Sequence, residues 1–377
     1  MSPLRVLPLA DFVVGQARAT SALQRALEAD QLFPSLVFHG PGGVGKLTTA
    51  LLLARALLCQ APGERPCGTC RSCRHIGERS LVHADVRLAL PEKKSEFDRE
   101  SSGSEGSAGL DPQALQAEAV KNPVWSVLID RLRQGIAFLQ RRPSESPRRI
   151  LIVDQAHRME AAAANALLKT LEEPPAHALL ILIASSWHAL LPTIRSRCQA
   201  VPFQLVPRTQ IVNYLVERRE LAAEEAVLRA GLSGGRIGAA LDLNLEEFRQ
   251  RRDRLLSILD ELARRGDPGL AVARAEAIVQ AGDSVEGDLE ILMTLLRDLL
   301  ILGASPADEA RLVNVDIAPG LRDRAAHFEG RAGDALESLE ITIESIRQKG
   351  NRQLLVENFL MDLVPEVPGP RRAHART

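Results

Sequence analysis

Seven residues constrain this chain more than any other stretch: Gly40-Pro41-Gly42-Gly43-Val44-Gly45-Lys46. They stand between a short apolar run, Leu36-Val37-Phe38-His39, and an apolar stretch of helical character over residues 47–58. A loop that cradles phosphate needs this context. Glycines let backbone amides turn inward, and the start of the following helix adds positive potential. The alternative is an ordinary glycine turn. The full nucleotide pattern also wants a Ser or Thr directly after the lysine, to hold Mg²⁺. Here that position is Leu47. Thr48 and Thr49 follow, but a helix turns by about 100° per residue, so Thr48 points elsewhere. Gly40, Gly45 and Lys46 are therefore expected to form a nucleotide-type loop that does not support Mg·ATP hydrolysis.

Two longer apolar runs predict what surrounds the loop. Ile150-Leu151-Ile152-Val153 and Leu179-Leu180-Ile181-Leu182-Ile183-Ala184 lack polar alternation, as strands of a parallel sheet do when helices cover both faces. Helical stretches are predicted over residues 17–29, 124–139 and 161–171, the last stopped by Pro174-Pro175. Strands alternating with helices predict a doubly wound α/β domain. The strand at 150–153 ends in Asp154, which is suited to a Mg²⁺ position. The next residue is Gln155, and a neutral amide is a poor base for activating water. The metal hydroxyl and the base are thus both missing, so the site is structural or binds nucleotide without turning it over.

The 377 residues carry 47 Lys+Arg against 48 Asp+Glu, which excludes a surface that is basic throughout. Aromatics make up 3 %, too few to favour a stacking platform for single-stranded nucleic acid. No apolar run reaches the ~18 residues of a membrane helix, and the N-terminus has no secretory pattern, so a cytoplasmic protein is expected. Four of the five cysteines crowd into Cys59, Cys67, Cys70 and Cys73. Two overlapping Cys-x-x-Cys steps plus Cys59 at a helix end can converge on one ion. Four thiolates at about 2.3 Å would make a closed, structural zinc site. Free thiols or a redox pair are the alternatives, and His75 is a conceivable substitute ligand. Cys198 stands apart and reads as a small buried hydrophobe.

Residues 92–122 are charged and rich in Ser and Gly, and most of the stretch is expected to form a mobile insertion. After Pro207 the strands stop. Short helices are predicted over 209–221, 222–230 and 236–243. A helical pattern then runs over 245–364, with breaks near 266–268, 303–306 and 319–320. The expected organisation is an α/β domain at 1–205 with a zinc module at 59–73, a helical lid at 206–244, an all-α domain at 245–364 and a disordered tail at 365–377. Arg371, Arg372 and Arg376 of the tail could meet DNA or anionic partners, though a solvated tail is the simpler explanation.

Several motifs together resemble one family. The phosphate loop, Asn165-Ala166-Leu167-Leu168-Lys169-Thr170-Leu171-Glu172-Glu173-Pro174-Pro175, the triplet Ser196-Arg197-Cys198 and the clustered cysteines look like the AAA+ clamp-loader subunits of bacterial DNA polymerase III. Val14-Gly15-Gln16 resembles the adenine-side element, and Ser233-Gly234-Gly235-Arg236 the second sensor of AAA+ lids. Asn314-Val315-Asp316 and residues 350–355 resemble the collar. The likeness covers most of residues 10–364, without the 92–122 insertion or the tail. It implies an AAA+, P-loop fold with lid and collar, and a five-membered ring with gamma/tau and delta subunits that places the sliding clamp on primed DNA. The departures at Leu47 and Gln155 single out the ring member that acts as a stator, its own ATPase degenerate. Arg197 would be an arginine finger in the neighbouring subunit's ATP/Mg site, with Arg195 a supporting charge. Two other readings stand beside this one: an active gamma/tau-like ATPase, with Mg-dependent turnover by the isolated chain, and a zinc-containing nucleic-acid-binding module, with strong salt-dependent affinity for DNA.

Overall fold

The computed structural model describes residues 7–77, 80–93, 110–122, 124–265, 267–280, 285–305, 311–328, 330–348 and 350–364. By its internal contacts the chain divides into two units. One holds residues 1–214 and 235–239, the other residues 215–234 and 240–377. The segment read as a lid, 206–244, thus contributes to both.

The first unit is built on five strands: β1 (Ser35–His39), β2 (Val86–Ala89), β3 (Arg149–Val153), β4 (Ala178–Ala184) and β5 (Gln199–Pro202). They form one parallel sheet in the order β2-β3-β4-β1-β5. Successive side chains of a strand point to opposite faces. Leu36, Phe38, Ile150, Ile152, Ile181 and Ile183 accordingly face one core, with Leu51 and Leu53 of α2 (Lys46–Leu58). Val37, Leu151, Val153, Leu180 and Leu182 face the other, with Leu132 and Leu139 of α5 (Ile129–Gln140) and Leu167 of α6 (Ala161–Glu172). Both faces are covered, which is why these strands carry no polar alternation. The expected α/β fold is borne out at its three central strands. The edge strands β2 and β5 escaped the pattern: Arg87 interrupts one, and three of the four residues of the other are exposed.

Two expectations are refined. The stretch 92–122 is not mobile throughout: Pro112–Lys121 forms a helix, α4. Asp111 caps it, its Oδ1 accepting the Gln113 and Ala114 amides at 3.0 Å each, and Pro112 supplies the preset first turn. Ala119 anchors it by full burial. Residues 94–109 of that insertion lie outside the described residues, as does the tail from Pro365. The break expected near Pro319-Gly320 falls just before them: a helix, Ala318–Ala325, begins there with Pro319 in its first turn, where a proline's missing N–H costs nothing.

Among its described residues the second unit has no strand. Helix α11 (Leu245–Arg265) sets Leu255, Leu259 and Leu262 on one face at helical spacing. They pack with Leu289, Leu292, Leu296 and Leu299 of α13 (Val285–Ala304), Leu339 and Ile343 of α15 (Ala332–Arg347), and Val356 and Phe359 of α16 (Arg352–Asp362). Ion pairs and buried acids tie the helices together. Asp288 pairs with Arg251 at 2.7 Å and Arg254 at 2.6 Å, and Arg252 grips Asp316 through two bonds of 2.7 and 2.8 Å. Asp298, fully buried, accepts the Val313 amide at 3.0 Å, the Asn314 amide at 2.7 Å and Asn314 Nδ2 at 2.8 Å. Among the described residues no helix is long and apolar enough to cross a membrane.

Asp298→Ala leaves two backbone donors buried without an acceptor, each worth about 1–3 kcal/mol. We expect a loss of about 2–5 kcal/mol in the unfolding of this helical unit, measured by urea titration of the wild type and variant.

Candidate functional site

The loop 40–46 joins β1 to α2, and its shape rests on glycines. Gly40, Gly43 and Gly45 have φ of 141°, 70° and 95°. A Cβ on Gly40 would stand 2.1 Å from the Phe203 carbonyl oxygen. The Gly40 amide donates to Ala184 and the Phe203 amide to His39, so the loop begins where β1, β4 and the end of β5 are laced together. Gln16, buried, secures it from another side. Its Nε2 donates to the Gln204 carbonyl at 2.7 Å and the Val44 carbonyl at 3.3 Å, while its Oε1 accepts the Gln204 amide at 3.1 Å. The Gly238 amide donates to the Gly43 carbonyl at 2.9 Å, and Arg236 lies exposed beside Gly43. The elements read as the phosphate loop, the adenine side and the second sensor therefore meet at one place.

Lys46 opens α2 and is 8 % exposed. Its Nζ donates to the Gly40 carbonyl at 2.5 Å and to that of Pro41. Burial lowers the amine to about 8, against an opposing pull from the Asp154 carboxylate. Leu47 points into the core beneath the sheet. The Thr49 hydroxyl is fully buried and donates to the Gly45 carbonyl at 2.7 Å. Neither residue offers a metal an oxygen: one supports the core, the other the helix.

Asp154 follows β3 and is 1 % exposed. Burial pushes its carboxyl up, opposed first by a hydrogen bond from Gln116 and then by the Gln155 amide, Lys46 and Arg158. Gln116 Nε2 donates to Asp154 Oδ2 at 2.6 Å. Gln155 takes a left-handed φ of 49° and gives its Oε1 to Arg158 Nη1 at 2.6 Å. Gln116 and Arg158 were missed in the sequence reading, because no spacing or motif links a glutamine in a polar insertion to a strand end 38 residues later.

Arg197 stands between α7 (Pro192–Arg195) and β5. Its side chain is about a third exposed and pairs with Glu172 Oε1 at 2.6 Å. Nη1 also donates to the Thr193 carbonyl at 3.0 Å and to Ser196 Oγ at 3.2 Å. Arg195 Nη1 lies 3.1 Å from His188 Nδ1. Cys198 is mostly buried, and burial raises its thiol to about 12.

The other four cysteines converge. Cys59 closes α2, and Cys70 caps α3 (Arg71–His75), which carries Cys73. The four Sγ atoms all lie within 4.8 Å of one another, with Cys67 to Cys73 and Cys59 to Cys70 both at 3.9 Å. A tetrahedron of thiolates about 2.3 Å from a metal has edges of about 3.8 Å. The Cys70 amide donates to Cys67 Sγ at 3.3 Å and the Cys73 amide to Cys70 Sγ at 3.5 Å, orienting the sulfurs. The cluster could hold a metal ion with these four ligands and without His75.

Known proteins give this arrangement a context. Residues 15–207 match the profile of a family described as DNA polymerase III, delta subunit. The DNA polymerase III subunit delta' of Escherichia coli (strain K12) is 30% identical over 332 residues, covering 87% of this chain and 87% of that protein. That of Bacillus subtilis (strain 168) is 28% identical over 317 residues, 82% of this chain and 84% of the other. The gamma/tau subunit of Mycobacterium tuberculosis (strain ATCC 25618 / H37Rv) is 30% identical over 348 residues, 86% of this chain. The match takes in 54% of that protein, so the chain spans about half the length of this relative.

A solvated lysine titrates near 10.4. We expect Lys46, followed by carbon-detected NMR of its side chain, to titrate near 8. Asp154→Asn removes a charge that favours the ammonium form, so the midpoint must fall further.

Proposed function

The chain belongs to the family described as DNA polymerase III, delta subunit, and from that premise we propose that it is a clamp-loader subunit of the delta' kind, a stator that supplies an arginine to a neighbour's ATP. It would work in the cytoplasm within the DNA polymerase III holoenzyme, in a ring with gamma/tau and delta subunits that sets the sliding clamp on primed DNA. Residues 206–244 and 245–364 would serve as its lid and collar.

The observation that carries this reading is the state of the chain's own site. The loop and Lys46 are present and held in shape from three sides. Yet the position after the lysine is a core leucine, and the position after Asp154 is a glutamine locked to Arg158. Lys46, Gly40 and Gly45 could accept phosphate, but Leu47 gives a Mg²⁺ ion no hydroxyl and Gln155 takes no proton from water. The residues fit phosphate binding without turnover.

Arg197 fits the opposite part. A guanidinium stays charged and presents a planar fork that matches phosphate oxygens. Its partner Glu172 is about half exposed, and an exposed ion pair of this kind is worth about 0–1 kcal/mol. The arginine can therefore exchange Glu172 for a neighbour's phosphate at little cost. Placement just after α7 leaves about a third of the side chain accessible from outside the chain.

Zinc is the metal best suited to the four cysteines, since a closed set of thiolates makes a structural tetrahedral site. It would fix the end of α2 against α3 and take no part in the reaction.

Two measurements test these assignments. A loader reconstituted with Arg197→Ala should lose about 10³-fold or more in single-turnover ATP hydrolysis at the adjacent site, the scale of a finger supplied in trans. Unchanged clamp-stimulated hydrolysis would refute the finger. The purified chain should carry one zinc by atomic absorption. Cys70→Ser should lose it and melt at a lower temperature, whereas a full-length chain that folds and melts identically without metal speaks against a structural ion.

A further inference from the structure

Helix α4 sits in a segment to which the function proposed above gives no work, yet its contacts fall on the nucleotide site. Gln116, in its middle, donates its amide to Asp154 Oδ2 at 2.6 Å. Arg158, in the turn just after β3, donates to the Ala119 carbonyl at 2.8 Å, the Asn122 carbonyl at 2.5 Å and the Trp125 carbonyl. The same guanidinium holds Gln155 Oε1. One short stretch, 154–158, thus carries the acid of the site and the clamp that docks the helix.

We propose that α4 is an intramolecular plug of this chain's nucleotide site, with the Gln116 amide standing where a nucleotide-bound divalent cation would meet Asp154. A hard cation needs carboxylate and water oxygens. A glutamine NH₂ offers only donors, and its hydrogens present positive charge to the approaching metal. It uses a lone pair of Asp154 that the cation or its water shell would require. Docking of α4 and binding of a divalent cation with nucleotide are therefore mutually exclusive.

The helix is held in a way that permits release. Of its ten residues only Pro112 and Ala119 are buried, and Val120 is 63 % exposed. Little apolar area is lost on undocking, so the Gln116 and Arg158 hydrogen bonds decide where it rests. The loop, Lys46 and Asp154 persist beneath it. The inference rests on reading residues 40–46 as a nucleotide loop and is independent of the Arg197 finger.

The test uses the full-length, zinc-loaded chain and a fluorescent ATP analogue, titrated in Mg²⁺ and in EDTA. For the wild type we expect binding no tighter in Mg²⁺ than in EDTA, and a wild type that binds more tightly in Mg²⁺ is the response that counts against the plug. Gln116→Ala removes the donor, and Gln116→Glu sets two carboxylates side by side, which favours a cation. In both variants Mg²⁺ should tighten binding by about tenfold, equivalent to about 1.4 kcal/mol. Mn²⁺ electron spin resonance should show the ion retained by the variants alone. A wild type that already responds to Mg²⁺, or variants that gain nothing over it, overturns the plug. Absence of nucleotide binding in every protein and condition removes the nucleotide-loop premise, and the plug with it. Hydrogen exchange supplies a readout without substitution: Mg·ATP bound to the wild type with residues 112–121 still protected also overturns it. The Arg197→Ala loader assay is unaffected by these outcomes, so the two ideas fail separately.

Discussion

The contact on which the site depends is one of backbone on backbone. Gly40 lies so close to the Phe203 carbonyl that no side chain fits between them. The approach is possible because β1 and the end of β5 are hydrogen-bonded there and Phe203 packs on Phe38 with ring centroids 5.2 Å apart. A parallel sheet gathers its loops at the carboxyl ends of its strands, where ligands of such folds bind. Here the gathering is tight: Gln16, Gln204, Val44, Gly43 and Gly238 are bonded to one another around the loop. The loop keeps the form of a phosphate cradle through its surroundings, whether or not phosphate is hydrolysed in it.

That independence of shape from chemistry explains the mixed character of the site. Form is carried by glycines, amides and a buried lysine. Turnover needs two further groups, a hydroxyl on the metal and an acid beside Asp154. At the first position Leu47 fills the core, and at the second Gln155 closes a contact with Arg158. Each replacement stabilises something local. The clamp on the insertion helix uses the same turn, so Gln155 takes part in the packing of that helix.

The sequence reading reached the central strands, the loop and the thiol cluster because each leaves a local signal: an unbroken apolar run, glycines at fixed offsets, cysteines two residues apart. It missed β2 and β5 because edge strands are short and half covered, and an arginine or an exposed pair hides their period. It assigned most of residues 92–122 to mobility by composition, though Asp111-Pro112 is a helix start that stands out once composition is set aside. The Gln116–Asp154 bond could not be read at all. It joins residues from two elements whose approach is set by tertiary packing. The Glu172–Arg197 pair is similar: both residues stood out in the sequence, but nothing there related them.

Helix α2 ends in two fixed points. Lys46 begins it at the phosphate loop, and Cys59 closes it at the thiol cluster. Its 13 residues span about 20 Å. A helix free at one end can slide or turn about its axis by small amounts. One tied at both ends is a strut whose phase is set, and the amides at its start keep a fixed aim. The cysteine cluster lies a helix length from the loop, yet it is the footing of the helix that starts there. Disturbing the sulfurs would alter the direction of the loop's dipole without touching a residue of the loop.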